Sequence, residues 1–553
     1  MTDCPEHRFD PPQGYASLRA QLTRFRTEED GAILPLFAFM IVPMLIFVGF
    51  AMEMALTEYL RAKVQGTTDS ASLAAADLEQ TLDPEDVVND FFAKAGLSDY
   101  LTDVDVVNTI GERTVTVTTD AQQDALLTKV TGLQAWDIPV RGRATETRGD
   151  IEIAVVLDNS GSMSWAPGSV AGPPATPSRM DLLIPAAEAF VDAVQPLPGE
   201  GGTTTISLVP FSTQVSVGED LLDQFTTTSE HDTSHCVTFY DSSDYTATSI
   251  SPQTELQRTG HFDPVSDSDD GWGLDASWTA CPTDSSRRDI YPWSESAANL
   301  KAKIRAMEPY GNTSIEHATK WAVALLDPSL RPVLAALAGM EAYSYMSGPA
   351  DRGQPYDYGA QNTFKYLIVM SDGENTRNWD LRDDYRSGPS PVWRRPDSTD
   401  YYYNYPDRDS RRKWYRVSNG EWYRPNARSQ SRRLPTNLVQ LSWQQVWSEM
   451  SVDKFTDDIK QPAVGGDDDD MYDDIVRTAN NGWKNNRTAA ICSAAKNAGI
   501  TVFTIGMDTY GQGDATLSNC ASSPTLFYDV QAVDIASAFS SIAREINKLR
   551  LTQ

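Results

Sequence analysis

A short loop with one carboxylate and two hydroxyl side chains is the part of this sequence best suited to chemistry. Asp158, Ser160 and Ser162 alternate directly after the apolar run 153–157, which is typical of a buried parallel strand. Carboxylate and hydroxyl oxygens are hard ligands, so this loop suits a hard divalent cation such as Mg²⁺. Gly161 gives the backbone the freedom that a sharp turn requires. Because open α/β sheets bind ligands at the carboxyl ends of their strands, the loop predicts a cation site there.

Two further loops are expected to join the first one. Thr313 lies just before a predicted helix, and Asp372 directly follows the apolar run 366–370. Asp372 therefore lies at the carboxyl end of a second strand, and all three loops can share one edge of a sheet. Together they offer two carboxylates and three hydroxyls, which is too little to saturate a cation that prefers six oxygens. One position stays open, and a carboxylate from a protein partner can complete it.

The elements that must position these loops alternate along the chain. Buried strands are predicted at 153–157, 205–210, 366–370, 500–505 and 526–529, and helices at 180–194, 296–307, 314–326, 487–498 and 533–549. This alternation predicts an α/β fold with a mainly parallel sheet and helices on both faces. Two polar segments, at about 212–295 and 377–486, interrupt the pattern.

The N-terminal region contains one segment outside ordinary soluble composition. Residues 31–52 carry no charge, and as a helix they span roughly 33 Å, enough for a bilayer core. They predict a single transmembrane helix, with a buried core helix as the alternative. More Arg and Lys residues precede it than follow it, which favours a cytoplasmic lead at 1–30 and an inner-membrane protein whose bulk lies outside the cytoplasm. Residues 53–149 are expected to extend the helix and form a small α+β module, and residues 150–553 form the cation-binding domain.

The cysteines agree with export. Cys4 lies alone before the apolar segment, whereas Cys236, Cys281, Cys492 and Cys520 follow it. An exported domain permits disulfides, and four cysteines allow three connectivities. Pairing of sequence neighbours, Cys236 with Cys281 and Cys492 with Cys520, is preferred because each pair lies within one local region. Free buried thiols are the alternative.

The charge balance limits the possible partners. A formal net charge of −31 argues against a nucleic-acid binder, which needs a basic face. Against that background the segment 377–433 is net basic, with 13 Arg, one Lys and eight Asp or Glu, and it is rich in Tyr and Trp. Arg stacks on aromatic rings and pairs with carboxylates. The segment is therefore either an interaction surface for an acidic partner or a glycan, or an insertion that folds against its own acidic domain.

The three loops carry a resemblance to a known family. The pattern of Asp158, Ser160 and Ser162, followed by Thr313 and Asp372, resembles the metal-ion-dependent adhesion site of von Willebrand factor type A domains. The resemblance implies that the two serines and Thr313 contact Mg²⁺ or Mn²⁺ directly, and that the two aspartates often act through water. It also implies a doubly wound sheet. Since Thr313 lies far downstream of Ser162, both polar segments must then be insertions into the domain.

The N-terminal region resembles a second family. Asp30-Gly31-Ala32 opens the apolar helix and the Ala-rich run 68–76 follows it; both are similar to the TadE/TadG-like segment of Flp (Tad) pilus assembly proteins. The resemblance implies a pilin-like module at 53–149. It also implies a membrane-anchored, metal-dependent adhesion or scaffolding protein with pilus or envelope components as partners. Processed pilins of this system carry Glu at the position of Leu36, so no such cleavage is expected.

Two other functions stay open from the sequence. A hydrolase that uses Ser160 or Ser162 would need a base, but none of the five histidines forms a recognisable nucleophile motif and there is no GxSxG. The chain is therefore expected not to be an enzyme. His231 and His235 beside Cys236 could bind zinc, but a polar loop without metal is the preferred interpretation. The other function is an assembly factor that faces the cytoplasm, which requires the opposite membrane topology.

Overall fold

The computed structural model of the chain describes residue 23 and residues 33–78, 80–109, 112–125, 129, 132, 134–147, 149–196, 202–266, 273–275, 278–283, 287–396, 398–405, 413–511 and 513–551. The chain divides into two compact units, Met1–Glu146 and Thr147–Gln553. The predicted cytoplasmic lead at 1–30 and Cys4 lie outside the described residues, apart from residue 23.

The described part of the first unit contains two helices and a three-stranded sheet of order β1-β2-β3. They are α1 (Ile33–Ala76), α2 (Pro84–Ala95), β1 (Leu101–Thr109), β2 (Glu112–Asp124) and β3 (Ala135–Thr147). Helix α1 is continuous over 44 residues, and its apolar N-terminal half is exposed. Its C-terminal half buries Val64, Ala71 and Ala75 against Phe92 of α2 and Val117 of β2. Strand β1 was not expected, because polar residues interrupt its apolar pattern.

The second unit alternates strands and helices from Asp150 to the C-terminal helix. Its strands are β4 (Asp150–Asp158), β5 (Thr204–Phe211), β6 (Val237–Thr238), β7 (Gln257–Arg258), β8 (Tyr291–Ser294), β9 (Thr363–Ser371), β10 (Asn378–Leu381), β11 (Pro389–Arg394), β12 (Tyr401–Asn404), β13 (Trp414–Arg416), β14 (Glu421–Tyr423), β15 (Val439–Ser442), β16 (Val476–Ala479), β17 (Thr501–Met507) and β18 (Phe527–Val530). Its α-helices are α3 (Arg179–Val194), α4 (Glu219–Leu222), α5 (Ala297–Arg305), α6 (Ile315–Leu325), α7 (Arg331–Ala338), α8 (Ser347–Asp351), α9 (Trp443–Glu449), α10 (Val452–Lys454), α11 (Gln461–Val464), α12 (Asp468–Ile475), α13 (Asn481–Asn497), α14 (Asp514–Cys520) and α15 (Ile535–Leu551).

The main sheet has the strand order β18-β17-β9-β4-β5-β8. Strands β18, β17, β9, β4 and β5 are parallel, and the short edge strand β8 runs antiparallel to β5. The predicted α/β class with a mainly parallel sheet is therefore confirmed. Strand β8 was not predicted.

Alternate residues of β4 enter two different cores. Ala154 and Val156 pack in one core with apolar residues of α6 and α13. Ile153, Val155 and Leu157 pack in the other core with residues of α3, α5 and α15. Because both faces of the strand are covered, its sequence is a continuous apolar run rather than an alternating one.

The second polar segment, at about 377–486, includes the Arg- and aromatic-rich residues 377–433 and forms a sheet with its own core. Strands β10 and β16 pair as an antiparallel stalk, and between them lies a five-stranded sheet of order β14-β13-β12-β11-β15. Trp379, Trp443, Trp447 and Phe455 are among its buried core residues. Several of its arginines pair with carboxylates of the second unit: Arg386 with Asp380 and with Glu230 of the first polar segment, Arg394 with Glu449, and Arg416 with Asp400. In its described part, the segment is an ordered part of the second unit.

Two histidines between β5 and β8 should make a contribution to stability that decreases in mild acid. Burial lowers the pKa of His231, and burial together with the charge of His231 lowers the pKa of His261 to about 4. Since each histidine binds a proton at about pH 6.5 in the unfolded chain and only at lower pH in the folded chain, its contribution to the free energy of unfolding decreases as the pH falls through this range. Buried carboxyl groups with a raised pKa, such as Asp158 and Asp380, contribute with the opposite sign. Between pH 7 and pH 5 the free energy of unfolding of the parent should decrease by about 2 kcal/mol relative to that of His261→Gln, measured by urea unfolding. An equal slope in this variant would contradict the assignment.

Candidate metal centre

The first loop of the site begins where β4 ends. Asp158 is fully buried, and its Oδ1 accepts a hydrogen bond from the Ser160 backbone N–H at 2.8 Å. The Ser160 and Ser162 hydroxyl oxygens lie 3.0 Å apart. A short 3₁₀ turn, Gly161–Ser164, follows and directs both hydroxyls to one side. One carboxylate and two hydroxyls therefore converge, as the alternating pattern predicted.

The second loop comes from the neighbouring strand. Strands β4 and β9 are adjacent and parallel, with Leu157 paired to Met370, so the two loops leave the same edge of the sheet. The Ser371 hydroxyl donates to Asp158 Oδ2 at 2.6 Å. The Ser162 hydroxyl donates to Asp372 Oδ1 at 2.8 Å. The structure thus brings Asp158, Ser160, Ser162 and Asp372 into one hydrogen-bonded cluster.

The third loop precedes α6 and contacts the first loop through the backbone. Tyr310 N–H donates to Asn159 O at 2.7 Å, and Gly161 N–H donates to Gly311 O at 2.8 Å. Gly311 has φ +62°, and a Cβ there would collide with the Thr213 hydroxyl, so the turn requires glycine.

Thr313 lies in this loop and is held by its backbone. Its N–H donates to Thr376 Oγ1 at 2.8 Å, and its carbonyl accepts from Thr376 N–H at 3.0 Å. Among the described residues, the Thr313 hydroxyl has no hydrogen bond to the other four candidate ligands. The structure therefore places the Thr313 loop at the site without joining its side chain to the cluster.

A buried arginine and a third aspartate complete the surroundings. Arg179, in the first turn of α3, contacts Asp372 Oδ2 through Nη1 at 2.5 Å and lies 3.3 Å from Asp508 Oδ2 through Nε. Asp508 follows β17 and also accepts from the Gly168 N–H at 2.8 Å. Neither residue was predicted, although the strand-end rule that located Asp372 applies equally to Asp508. Arg179 gave no local signal, because its partners lie far along the chain.

The electrostatics of the cluster favour a divalent cation. Desolvation and the nearby Asp372 charge raise the pKa of Asp158 to about 7. Desolvation also raises the pKa of Asp372, although Arg179 opposes the shift. The three carboxylates exceed the single guanidinium by two charges, which one divalent cation would balance. Within the described residues there is no group of three His, Cys, Asp or Glu side chains placed to hold a metal ion. The candidate set here has two carboxylates, Asp158 and Asp372, and its other members are hydroxyls. Hard oxygens of this kind fit Mg²⁺ or Mn²⁺.

The comparisons identify the N-terminal segment. Residues 31–78 match the family model Tad, described as Flp pilus-assembly TadE/G-like. The segment is TadE/G-like. It coincides with α1, a described helix that by length and composition could cross a membrane, with a mean hydropathy of 2.4 over its most apolar 18 residues. No curated protein matches the chain.

Solved structures of pilus and matrix proteins are similar to the chain outside the TadE/G-like segment as well. The vWF domain of the type V pili tip protein Mfa5 from Porphyromonas gingivalis is 14% identical, with 74% of this chain and 98% of that chain covered and a TM-score of 0.31. The PilB minor pilin from Streptococcus sanguinis is 12% identical, with 81% of this chain and 79% of that chain covered and a TM-score of 0.28. Proximal thread matrix protein 1 from the mussel byssus, with a zinc occupied MIDAS motif, is 12% identical, with 73% of this chain and 46% of that chain covered and a TM-score of 0.25. Since these TM-scores are low, the chemistry of the site rests on its own geometry.

Both preferred cysteine pairs are joined in the second unit, beyond the TadE/G-like segment. Cys236 is bonded to Cys281, and Cys492 of α13 is bonded to Cys520 of α14. All four are fully buried. Cys236 is therefore not free to act as a zinc ligand beside His231 and His235.

The helix cap beside Arg179 gives a prediction of moderate size. Ser178 caps α3 by accepting from Asp181 N–H at 3.2 Å, and Asp181 in turn accepts from the Ser178 N–H. Ser178→Ala should cost about 1 kcal/mol of stability in urea unfolding. Ser296 caps α5 by accepting from the Asn299 N–H at 3.3 Å and serves as the control. Both alanine variants should lose similar stability, but only Ser178→Ala should also weaken Mg²⁺ binding, because Arg179 follows the cap. Equal Mg²⁺ affinities in the two variants would count against a role of Arg179 at the site.

Proposed function

We propose that this chain is a membrane-anchored, metal-dependent adhesion or scaffolding protein of Flp (Tad) type pilus assembly. The TadE/G-like match supports the pilus association. The observation that carries the metal-dependent part is the cluster in which Ser162 bridges Ser160 and Asp372 across two strand ends. In this proposal the second unit is a von Willebrand A-like, doubly wound domain with insertions at about 212–295 and 377–486.

The proposed ligand set for Mg²⁺ or Mn²⁺ is Asp158, Ser160, Ser162, Thr313 and Asp372. When bound, the cation would supply an electrophilic centre for a carboxylate of a protein partner. The chain itself positions the hydroxyls and orients Asp158 through hydrogen bonds from Ser160 and Ser371. Arg179 contacts Oδ2 of Asp372, the oxygen that does not accept from Ser162. Because Mg²⁺ takes six oxygen ligands, the five proposed ligands leave one coordination position for the partner. The proposed partners are other pilus or envelope components, and nucleic acid is not among them.

The proposed topology is a single pass through the inner membrane, with the N-terminus in the cytoplasm and the second unit outside. The excess of Arg before α1 supports this orientation. The two disulfides support it independently, because they persist in oxidising compartments.

The proposal includes no catalytic activity. His317 Nδ1 lies 3.0 Å from Glu316, His231 Nε2 lies 2.8 Å from Thr259 O, and His261 Nδ1 lies 3.1 Å from the Ser234 hydroxyl. None of these rings hydrogen-bonds Ser160 or Ser162 in the described part of the chain. The two serines therefore have hydroxyl and carboxylate neighbours suited to cation binding rather than a histidine base.

Surface attachment of cells tests the proposed function. Cells that carry Asp158→Ala should lose Mg²⁺-dependent attachment while keeping normal amounts of the protein in the membrane. Asp469→Ala removes an exposed carboxylate outside the three loops and should attach like the parent. Undiminished attachment of the Asp158→Ala strain would refute metal-dependent adhesion.

Reporter fusions after Leu78 test the topology. An enzyme reporter that works only outside the cytoplasm should be active there. A reporter signal from the cytoplasm would support the alternative of an assembly factor facing the cytoplasm, and the export proposal would then be wrong.

A further inference from the structure

A buried lysine joins two of the three site loops. Lys484 lies in the first turns of α13 and is fully buried. Its Nζ donates to Thr313 O at 2.8 Å, to the Ser314 hydroxyl at 2.6 Å and to Thr376 O at 2.7 Å. An ammonium group has three N–H donors, so these three acceptors saturate it. Two acceptors belong to the Thr313 loop and one to the loop after Asp372.

The charge of Lys484 is balanced inside the core. Glu316 Oε1 lies 3.6 Å from Lys484 Nζ, and Glu316 is also fully buried. Burying an ion pair is costly, and apolar side chains of similar size often give equal or greater stability. The pair is therefore weak evidence for a purely stabilising role. What distinguishes Lys484 is that its three hydrogen bonds go to two of the three site loops.

Asn375 makes a parallel connection between the same elements. Its Oδ1 accepts from the Ile315 N–H at 2.7 Å, and its Nδ2 donates to Asn485 Oδ1 at 3.0 Å and to Thr488 Oγ1 at 3.2 Å. Helix α13 is thus fastened to both loops at two points, through Lys484 and through Asn375.

We propose that Lys484 is a positioning residue of the metal centre, which holds the Thr313 loop and the Asp372 loop at the spacing that one cation requires. The inference rests on the proposed cation-dependent function. Without the ammonium, Thr313 O, the Ser314 hydroxyl and Thr376 O all lose this shared donor. Among the described contacts the two loops then keep the mutual bonds of Thr313 with Thr376, the Asn375 connection and the bond from Asn312 Nδ2 to Arg377 O. The Thr313 hydroxyl, which within the described residues makes no bond to the rest of the cluster, depends most on this spacing.

The position of Lys484 also connects the second polar segment, 377–486, to the site. The segment leaves the site loop at Arg377 and returns through β16, which ends directly before α13. Lys484 therefore lies at the point where the segment returns to the site, and it fixes that end to both loops.

Titration of the full-length chain in detergent micelles with Mg²⁺ tests the inference. Lys484→Met removes the ammonium and keeps most of the volume, and we expect the Kd for Mg²⁺ to rise about tenfold or more, as for other residues that orient ligands without touching the metal. Lys320→Met is the matched control. Lys320 is 2% exposed and donates to two backbone carbonyls, Ala247 O at 2.7 Å and Ser249 O at 3.0 Å, which lie outside the three loops. Both variants should lose thermal stability without metal, and only Lys484→Met should lose affinity.

The outcomes separate this inference from the proposed function. If the parent binds Mg²⁺ and Lys484→Met binds it with the same Kd, the positioning role is refuted while the proposed function stands. If the parent binds no Mg²⁺, the proposed function fails. Amide hydrogen exchange of the metal-free proteins then decides the role of Lys484. Exchange at Thr313 and Thr376 should be faster in Lys484→Met than in Lys320→Met, and equal rates overturn the role. If Lys484→Met does not fold, Lys484→Gln, which keeps one donor group, is measured by the same criteria.

Discussion

Asp158→Asn should abolish the stabilisation that Mg²⁺ gives the full-length chain and should at the same time stabilise the metal-free protein. The parent should gain about 2.7 kcal/mol when Mg²⁺ is present at 100 times its Kd. The variant should gain nothing, because the amide side chain lacks the negative charge that a buried hard cation requires.

The opposite effect without metal follows from the burial of Asp158. Its folded pKa of about 7 lies above the usual value of 3.8 because the ionised form is desolvated beside Asp372. A raised folded pKa contributes stability at low pH that is lost as the pH rises through about 7. The neutral amide avoids this cost, so metal-free Asp158→Asn should exceed the parent by about 1–2 kcal/mol at pH 8 and by less at pH 5.

Urea unfolding with and without Mg²⁺ measures both effects. Asp380→Asn is the matched control, since Asp380 is also buried and desolvation likewise raises its pKa to about 7, but it pairs with Arg386 in the stalk. This control should keep the full Mg²⁺ response. A Mg²⁺ response that survives in Asp158→Asn would exclude this residue as a ligand.

Removal of the Cys236–Cys281 disulfide should cost about 3–4 kcal/mol of stability. The bond closes a loop of 45 residues, and its loss returns that loop's conformational freedom to the unfolded chain. The Cys492–Cys520 bond spans 28 residues and should cost slightly less, because the entropy depends only weakly on loop length. The double variant Cys236→Ala/Cys281→Ala, compared with the parent in urea, gives the measurement.

Cys4→Ala is the control for this experiment, because Cys4 lies in the predicted cytoplasmic lead and the other four cysteines are joined to each other. It should leave the unfolding midpoint unchanged. Reductant should lower the parent's midpoint toward that of the double variant. A midpoint that responds neither to reductant nor to the double substitution would show that the bond is absent from the folded protein.

The parts of the site that the sequence predicts are those set by local pattern. An apolar run followed by a carboxylate identifies a strand end, and this rule located Asp158 and Asp372. The hydrogen bond between Ser162 and Asp372 joins residues 210 positions apart, yet it follows once both strand ends share one edge. The rule does not predict the position of Thr313, because Thr313 does not follow a strand. Its loop is held by contacts with Asn159 and Thr376, which no local sequence pattern indicates.

The residues that the sequence does not reveal act through long-range pairing. Arg179 meets Asp372 across 193 positions, and Lys484 meets Thr313 across 171. Each occurs in an ordinary helical stretch, where a charged residue is normally a solvated one. The five-stranded sheet between β10 and β16 was missed for a related reason. Its strands are only three to six residues long and rich in Arg and Tyr, so no period of two stands out.

The Mn²⁺ anomalous signal from crystals of the full-length chain tests the central claim most directly. The account predicts one strong peak bounded by the oxygens of Ser160, Ser162 and Asp372, at about 2.1 Å from its direct ligands, and no such peak in Asp158→Asn. A parent crystal saturated with Mn²⁺ that shows no peak at these three loops, or a peak that persists unchanged in Asp158→Asn, would contradict the account.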